Sequence, residues 1–452
     1  MNPHIFREYD IRGKASELTD GLVRDLGRAL GTFYARRSKV RIAVGHDCRT
    51  SSPRLRAALT EGLLDAGVNV VDLGMVPTPL MYFSVWHYDL DGGVEITGSH
   101  NPPEDNGFKM MCGKDTLAGE EIRGLRKLIE DDELDRGRKG SVERLDPLTS
   151  YASFMKGNIR LPSTDLRFAV DAGNGAGGPA ALRAFAAVGL DPEALLCTPD
   201  GTFPNHHPDP SLPENLEFLR NTVRTKDLAL GIAYDGDADR IGVIDDTGQV
   251  IFGDKLLIAL GRAVLKDRPG AAILGEVKCS QTLYDDIAKH GGRPILWKTG
   301  HSLIKRKMKE EGALLAGEMS GHVFFADRYY GFDDAIYASL RLVELLAETG
   351  RPIRELLEDV PKTYATPEIR VECSDEHKFA VVEAVRDHFG QSHAVIAVDG
   401  ARVLFDGGWG LVRASNTQPV LVLRFEANSE EKLAAIRETV EAAVASATES
   451  AL

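Results

Sequence analysis

One layout of elements recurs three times along the chain, at residues 41–74, 167–197 and 271–300. Each stretch reads as a short strand rich in β-branched residues, a polar or glycine-rich turn, an amphipathic helix, a glycine and a second strand. This order is that of a βαβ unit, which implies a mostly parallel sheet covered by helices. Chance spacing in an ordinary α/β protein is the alternative. We predict three related α/β domains from the repetition.

The helix of each unit is predicted from apolar spacing and from a glycine at its end. In the first unit, apolar residues fall at i, i+3, i+4 and i+8, at Leu55, Ala58, Leu59 and Leu63. A glycine follows the last predicted turn of each unit, at Gly67, Gly189 and Gly291.

A further strand follows each unit and ends in an unusual loop. These loops contain TGSHNP, DGDADR and EMSGH, at residues 97–102, 235–240 and 318–322. In open α/β sheets, ligands gather at the carboxyl ends of strands. We expect each domain to present one chemically active loop at an equivalent position.

The C-terminal part has a different order. From about Tyr364 it reads as strand, helix, three short strands, a loop, a strand and a closing helix, which predicts a small α+β domain. The fold class is therefore α/β, with three related mixed α/β domains and a C-terminal α+β domain. The predicted domains are 1–150, 151–252, 253–363 and 364–452. Candidate linkers lie near 150–163, around 250–254 and at 360–367.

Charge and cysteine usage restrict the class of partner. The net charge of -14 argues against a nucleic acid or an anionic membrane as partner. The five cysteines are scattered and lack CxxC spacing, which is typical of reduced thiols in a cytoplasmic protein. The N-terminus has no apolar signal region, and no apolar run reaches the ~18 residues of a membrane span. We expect a soluble, cytoplasmic protein.

The DGDADR loop is a candidate metal site. Asp235, Asp237 and Asp239 alternate, and on an extended segment their carboxylates would point the same way. A hard dication would relieve their repulsion, and Mg²⁺ fits if a phosphate supplies a further oxygen. A solvated acidic turn fits poorly between two apolar strands. An EF-hand fails because Arg240 stands where that loop requires glycine.

Residues 171–178 offer a rival function. Gly173, Gly175 and Gly178 match a G-x-G-x-x-G pattern between a strand and a helix, and Asp200 lies near the expected acidic position. An NAD-binding dehydrogenase is therefore an alternative. The same glycines could simply turn a strand into a helix, and nothing nearby resembles a hydride-transfer site.

The other loops carry polar groups suited to a phosphosugar. Ser99 stands in a loop dense in Gly, Asn and Pro, where a hydroxyl that merely bonds its own turn is the alternative. Glu318, Ser320 and His322 alternate and suit adjacent hydroxyls. The segment RASNTQP resembles a phosphate cradle. Together these loops predict phosphoryl transfer on a sugar.

Six motifs make the chain recognisable over its whole length. In order they are YDIRG, TGSHNPPEDNGFK, DGDADR, KTGH, GEMSGH and RASNTQPVLVLRFEA. In these motifs the chain resembles the α-D-phosphohexomutase family, in particular its bacterial phosphomannomutase/phosphoglucomutase branch. The resemblance implies four domains around a central cleft, with a more mobile C-terminal domain.

The resemblance also implies roles for individual residues. Ser99 would be the phosphoserine and, with Asp235, Asp237 and Asp239, a ligand of one Mg²⁺. Glu318 and Ser320 would hold the sugar's 3- and 4-hydroxyls. The non-reacting phosphate would be bound by Arg413, Ser415, Asn416 and Thr417. The residues lining the site would be Tyr9, Arg12, Lys109, Arg240, Lys278, His301 and His322. Among these, Lys109, His322 and Arg12 are expected to share in catalysis, and His100 is expected to be structural.

The implied reaction interconverts hexose 1- and 6-phosphates of glucose and mannose through a 1,6-bisphosphate, which would also serve as activator. Met319 stands where phosphoglucosamine mutases tend to carry Gln, which favours glucose and mannose phosphates; a phosphoglucosamine mutase is one alternative. A metal-dependent sugar phosphatase with a phosphoserine is another. The expected partners are small phosphosugars, and the expected state is a monomer or a weak dimer.

Overall fold

The computed structural model describes residues 2–135, 139–415 and 418–451. The N-terminal unit starts with a 3₁₀ helix, Pro3–Ile5. Its strands are β1 (Ile11–Lys14), β2 (Arg41–His46), β3 (Asn69–Met75), β4 (Gly92–Ile96), β5 (Asp105–Cys112), β6 (Asp115–Thr116) and β7 (Val142–Arg144). Its helices are α1 (Asp20–Ala35), α2 (Ser52–Asp65), α3 (Thr78–His87) and α4 (Glu120–Glu130). The strand order is β1-β5-β4-β2-β3-β7, with β6 beside β5.

The second and third units have smaller sheets. The second contains α5 (Leu148–Asn158), β8 (Phe168–Asp171), α6 (Gly177–Ala187), β9 (Glu193–Leu195), a 3₁₀ helix (Pro213–Leu216), α7 (Glu217–Lys226), β10 (Leu230–Tyr234), β11 (Ile241–Asp245) and β12 (Val250–Ile251). The third contains α8 (Gly253–Asp267), β13 (Ala272–Glu276), α9 (Gln281–Lys289), β14 (Arg293–Trp297), α10 (His301–Glu311), β15 (Leu315–Gly317), β16 (Val323–Phe325), α11 (Ala335–Thr349) and α12 (Ile353–Leu356). Their strand orders are β12-β11-β10-β8-β9 and β14-β13-β15-β16.

The C-terminal unit is a mainly antiparallel sheet with two helices packed on it. It contains β17 (Tyr364–Ala365), β18 (Ile369–Glu372), α13 (Lys378–Phe389), β19 (Val395–Ile396), β20 (Ala401–Phe405), β21 (Gly408–Ala414), β22 (Val420–Ala427) and α14 (Glu430–Ala451). The strand order is β17-β22-β21-β20-β19, and β18 also pairs with β22. This arrangement confirms the predicted α+β character.

The three α/β units share one four-stranded motif, which confirms the prediction of three related α/β domains. The shared orders are β3-β2-β4-β5, β9-β8-β10-β11 and β14-β13-β15-β16. In each motif the first two pairings are parallel and the last is an antiparallel hairpin. The strands β4, β10 and β13 are fully buried, as expected for sheets covered on both faces. The predicted helix ends at Gly67, Gly189 and Gly291 are confirmed, and these glycines have positive φ values of 89°, 84° and 77°.

One hydrophobic core runs through all three α/β units. Helix α3 lies at its centre, and eight consecutive residues from Thr78 to Val85 are buried. Phe83 contacts Tyr151 of the second unit edge to face, and Tyr82 contacts Phe332 of the third, with ring centroids 5.2 and 5.5 Å apart. The three units are therefore fixed to one another by apolar packing around α3. In the described part of the chain, no helix is long and apolar enough to cross a membrane.

The predicted linkers are partly wrong. Helix α5 occupies most of 150–163, because Tyr151 and Met155 bury an apolar face that the sequence analysis did not use. Residues 250–254 form β12 and the start of α8, and residues 360–367 contain β17, which pairs with β22. Strand β12 pairs with the preceding strand β11 across a short turn, whereas β17 pairs with the distant β22, and local composition does not reveal that second pairing.

Candidate active site

The three active loops are the three equivalent hairpin connections. They join β4 to β5, β10 to β11, and β15 to β16, and the loops from separate sheets meet in one cleft. Ser99 Oγ of the first loop donates a hydrogen bond of 2.6 Å to Asp235 Oδ2 of the second. His322 Nε2 of the third lies 3.3 Å from Asp239 Oδ1 of the second. The prediction of equivalent loop positions is confirmed.

Ser99 is held in an uncommon backbone conformation. Its φ is 48°, in the left-handed region that a non-glycine residue rarely adopts. Its N–H donates to Thr97 Oγ1 at 2.8 Å, and its carbonyl accepts from Arg49 at 2.8 Å. The side chain of His100, expected to be structural, places Nδ1 3.1 Å from Ser99 Oγ. Burial holds the pKa of His100 well below its usual range, so a neutral imidazole lies beside the hydroxyl.

The acidic loop brings three carboxylates together. Asp235, Asp237 and Asp239 are fully buried, and one oxygen of each lies within 4.8 Å of the others. The loop is a turn with Ala238 at φ 56°, so the expectation of an extended segment is wrong. The tight turn, rather than strand alternation, directs the side chains to one point.

The electrostatics of the acidic loop favour a bound dication. Burial, then the neighbouring Asp237 and Asp239, raise the pKa of Asp235 well above its usual range. Burial would also raise the pKa of Asp239, but Lys109 and His322 outweigh it and keep that pKa well below normal. Among the described residues, Asp237 Oδ1 has no hydrogen-bond partner. Buried hard oxygen donors with an unpartnered atom fit the requirements of Mg²⁺.

Lys109 places positive charge beside this cluster, and Arg12 places it beside the Ser99 loop. Lys109 Nζ donates to Asp237 Oδ2 at 2.7 Å and also to Asp239. Burial opposes its charge, yet Asp237 and Asp239 outweigh burial and raise the pKa of Lys109. Arg12 on β1 bonds Asn101 Oδ1 at 2.7 Å and Asp10 at 2.6 Å. Both cations thus flank the Ser99 loop.

The third loop forms a polar wall opposite the acidic loop. Glu318 accepts from Gly300 N at 2.7 Å and lies 2.7 Å from His322 Nδ1. Ser320 Oγ lies 3.1 Å from the same ring nitrogen. Burial would lower the pKa of His322, but Asp239 and Glu318 raise it to about 9. Arg240 Nε lies 3.4 Å from His322 Nε2.

His301 and Tyr9 lie beside that wall. His301 stacks on His322, with ring centroids 5.7 Å apart, and its Nδ1 lies 3.3 Å from Asp333 Oδ2. Tyr9 donates to Thr299 O at 3.1 Å, which joins the N-terminal segment to the third unit. All of these predicted residues therefore lie in one neighbourhood.

Hydrogen bonds that involve charged side chains join the C-terminal unit to the third unit. Lys278 Nζ donates to Glu368 Oε1 at 2.6 Å. Asp399 Oδ2 accepts from Thr299 N and from Arg413 Nε, each at 3.1 Å. Ser415 follows at the end of β21 and accepts from Gln418 N at 3.2 Å. The predicted Asn416 and Thr417 lie outside the described residues.

Comparison with known proteins assigns the fold to a family. Models of four phosphoglucomutase/phosphomannomutase domains match in order: α/β/α domain I at residues 3–135, domain II at 149–248, domain III at 252–364, and the C-terminal domain at 368–443. The chain belongs to the phosphoglucomutase/phosphomannomutase family. The family assignment and the four-domain α/β architecture agree with the sequence analysis, whereas the boundaries given there stay a prediction.

Relatives of this phosphoglucomutase/phosphomannomutase family cover nearly the whole chain. A phosphomannomutase/phosphoglucomutase from Pseudomonas aeruginosa is 47% identical over 96% of this chain and 94% of its own. A phosphoglucomutase from Neisseria gonorrhoeae is 44% identical over 98% and 97%. The crystal structure of a family protein from Burkholderia thailandensis aligns with a TM-score of 0.93 at 42% identity, over 98% and 97% of the two chains.

The glycines of the rival dinucleotide motif have a packing role in this family member. A Cβ on Gly175 would lie 2.7 Å from Gly236 O, and one on Gly178 would lie 2.1 Å from Cys197 O. Asp200 is exposed and bonds Thr202 in its own turn. These glycines let the second unit's helix approach its neighbours closely.

Sequence reasoning missed the residues that hold the loops in place. Glu276, fully buried at the end of β13, accepts from Lys278 N at 2.9 Å, Thr299 Oγ1 at 2.8 Å and Met319 N at 3.2 Å. In the first unit, Asp47 directly after β2 has the corresponding position and accepts from Gly98 N at 3.2 Å. An acidic residue at the carboxyl end of a buried strand was the available signal.

Proposed function

We propose that this chain is a phosphohexomutase that interconverts the 1- and 6-phosphates of glucose and mannose. The observation that carries the proposal is the 2.6 Å hydrogen bond that Ser99 Oγ donates to Asp235. It joins a hydroxyl nucleophile to an acidic cluster, in a cleft that is also lined by the polar loop of residues 318–322. Family membership supports the same reaction class.

In the proposed reaction, Ser99 carries a phosphoryl group. Its P–Oγ bond breaks as the sugar's free hydroxyl forms a new P–O bond; the hydroxyl proton passes to a base, and an acid protonates the departing Ser99 Oγ. The resulting 1,6-bisphosphate turns in the cleft and returns its other phosphoryl group to Ser99. Such transfer depends mainly on positioning and on charge neutralisation. Lys109, Arg12 and Arg240 would supply protein cations to the transferring group.

One Mg²⁺ would be held by Ser99 and the carboxylates of Asp235, Asp237 and Asp239. When bound, it would neutralise negative charge on the phosphoryl oxygens. The unpartnered Asp237 Oδ1 supports this assignment. A hexose 1,6-bisphosphate would act as activator, because it can phosphorylate Ser99 in enzyme that has lost its phosphoryl group.

The remaining residues would bind the sugar and its second phosphate. Glu318 and Ser320 would hold the 3- and 4-hydroxyls, which glucose and mannose share. His322 and Lys109 are the proposed proton-transfer groups, since each is titratable and lies against a carboxylate of the acidic loop. The groups proposed for general substrate contact are Tyr9, Lys278 and His301, and for the non-reacting phosphate Arg413, Ser415, Asn416 and Thr417. No nucleic-acid or membrane partner is proposed, and we propose a monomer or weak dimer.

A coupled assay with glucose, mannose and glucosamine 1-phosphates in parallel, with and without a 1,6-bisphosphate, tests the proposal. We expect turnover of glucose and mannose phosphates, Mg²⁺ dependence and stimulation by the bisphosphate. Preference for glucosamine 1-phosphate would indicate a phosphoglucosamine mutase instead. Release of inorganic phosphate without 6-phosphate would indicate a phosphatase.

A further inference from the structure

Arg49 is a fully buried arginine directly behind the Ser99 loop. It follows β2 and takes no part in the proposed contacts with sugar or metal. Its guanidinium donates to backbone carbonyls of the loop, namely Ser99 O at 2.8 Å, Asn101 O at 2.6 Å, Asp105 O at 3.0 Å and Pro102 O. Its Nε donates to Asp47 Oδ2 at 3.1 Å. A buried charge is thus balanced by one carboxylate and four carbonyl dipoles.

The loop rests directly on the guanidinium plane. A Cβ added to Gly98 would lie 2.5 Å from Arg49 Cζ, so only glycine permits this approach. Asp47, the partner of Arg49, accepts from Gly98 N at 3.2 Å and from Arg49 N at 2.9 Å. The buried pair therefore fixes the backbone on both sides of the peptide that leads into Ser99.

The second unit packs on the other side of the same residues. A Cβ on Gly201 would lie 2.7 Å from Arg49 Cα, and the Phe203 ring centroid is 5.2 Å from Arg49 Cζ. A Cβ on Gly236, in the acidic loop, would lie 2.4 Å from Ser99 O. The Ser99 carbonyl is thus confined between Arg49 and the acidic loop.

We propose that Arg49 is a positioning residue for phosphoryl transfer. It holds the Ser99 carbonyl, and with it the left-handed φ of 48°, so that Oγ faces Asp235 across the boundary between two units. The inference rests on the proposed function for its catalytic consequence, but the ordering of residues 98–105 does not depend on it.

Lysine cannot replace this group. The planar guanidinium directs five N–H donors in fixed directions, whereas an ammonium concentrates three on one atom. In Arg49→Lys, some of the four carbonyls and Asp47 would lose their donor. The loop would then populate other conformations, and a displacement of Ser99 by about 1 Å costs on the order of 10²-fold in rate.

The test compares Arg49→Lys and Arg49→Met with a matched control, Arg341→Lys. Arg341 is also buried, bonds Asp327 at 2.8 and 2.9 Å, and stacks on Phe325 rather than on a loop of the cleft. The measurements are kcat and KM for glucose 1-phosphate, the melting temperature, and amide hydrogen exchange of residues 98–105. We expect Arg49→Lys to lower kcat about 10²-fold with KM within about threefold of wild type. Exchange in the loop should be faster, while the control keeps wild-type kcat and loop exchange.

A wild-type kcat in Arg49→Lys would overturn the inference, as would an equal loss of kcat in the control at the same melting temperature. If Arg49→Met does not fold, the positioning role is tested with Arg49→Lys alone. If the wild-type protein turns over none of the sugar phosphates, the proposed function fails. The exchange data then decide the positioning role alone: faster loop exchange supports it, and unchanged exchange refutes it.

Discussion

Ser99 and Lys109 of the first unit have their hydrogen bonds and charge matched by carboxylates of the second unit. The hydroxyl bonds Asp235, while Lys109 bonds Asp237 and Asp239. Removing one member therefore leaves a buried partner uncompensated, which costs more than the contact itself contributes. Single substitutions here give the sharpest tests of the proposed chemistry.

Ser99→Ala should abolish mutase turnover by at least about 10³-fold, because the phosphoryl carrier is lost. The fold should persist, since Ala removes one hydroxyl from a loop held by its backbone. Coupled assays and circular dichroism check both points. Ser84→Ala, which removes a buried hydroxyl bonded within α3, is the control and should stay active. Full activity in Ser99→Ala would contradict the proposed role.

Asp237→Asn should weaken Mg²⁺ binding at least about tenfold, because ligand charge sets the affinity of such sites. Calorimetric titration of the protein with MgCl₂ measures this without reference to turnover. Asp245→Asn is a matched control, because Asp245 is also buried on the same hairpin but bonds only its own turn around Thr247. An unchanged Mg²⁺ affinity in Asp237→Asn would remove this carboxylate from the site.

At the scale of elements, helix α11 begins at a buried acidic cap. Asp334 accepts from Tyr337 N at 2.8 Å, and Tyr151 and Tyr329 donate their hydroxyls to it at 2.9 and 2.8 Å. Burial is the largest influence and raises the pKa of Asp334 to about 6. In the unfolded chain its pKa is about 3.9. Between about pH 4 and pH 6, Asp334 is therefore protonated in the folded protein and ionised in the unfolded chain.

This cap predicts a pH dependence of stability. Because the folded pKa is the higher one, the contribution of Asp334 is full below about pH 4 and is lost as pH rises to about 6. The shift corresponds to on the order of 3 kcal/mol. Urea unfolding of wild type and Asp334→Asn at pH 5 and pH 7 measures the part of this loss of stability that falls between those two pH values. We expect wild type to lose stability relative to the variant at pH 7; a pH-independent difference would exclude titration of Asp334.

Elements with local signals were predictable from sequence, and elements fixed by distant partners were not. Leu55, Leu59 and the Gly67 stop marked α2, and the other two repeats followed the same rule. Helix α5 and strand β17 were missed because they are stabilised by segments far away in the sequence: α5 packs on α3 of the first unit, and β17 pairs with β22 of its own sheet. The acidic loop was predicted as a site from its alternating Asp residues, but its turn depends on Ala238 in a left-handed conformation, which that alternation does not reveal. Arg49 was missed because the loop carbonyls to which it donates lie 50 or more residues away in the sequence.

At the scale of the whole molecule, the C-terminal unit has its own core and a small shared interface. Trp409 lies in that interface with Val277 and Leu411, and the Arg402 guanidinium lies 3.9 Å above its ring. Arg402 also donates to Val277 O and Cys279 O, on both sides of Lys278. The orientation of the C-terminal unit and the position of Lys278 are therefore linked.

Trp409→Ala should uncouple the C-terminal unit from the other three. Loss of a buried aromatic ring costs about 3–5 kcal/mol, here mainly at the interface. Differential scanning calorimetry should show a separate, lower transition for the C-terminal unit. The control is Phe405→Ala, which weakens the core of the same unit through its contact with Phe389. It should lower the C-terminal transition without changing KM for glucose 1-phosphate, whereas Trp409→Ala should raise KM. An unchanged thermogram and KM in Trp409→Ala would contradict the linkage.

The three hairpins occupy equivalent positions in three separate sheets. In the proposed function, the phosphoryl carrier, the acidic loop and the sugar-binding loop therefore stand on different sheets. In the proposed function Glu318 and Ser320 hold the sugar, so changes at these two positions are expected to alter the substrate while the Ser99 loop and the acidic loop keep the supports of their own sheets. A lineage of such chains can therefore gain new substrates by edits to one short connection. Redesign of the sugar specificity would therefore begin at residues 318–322.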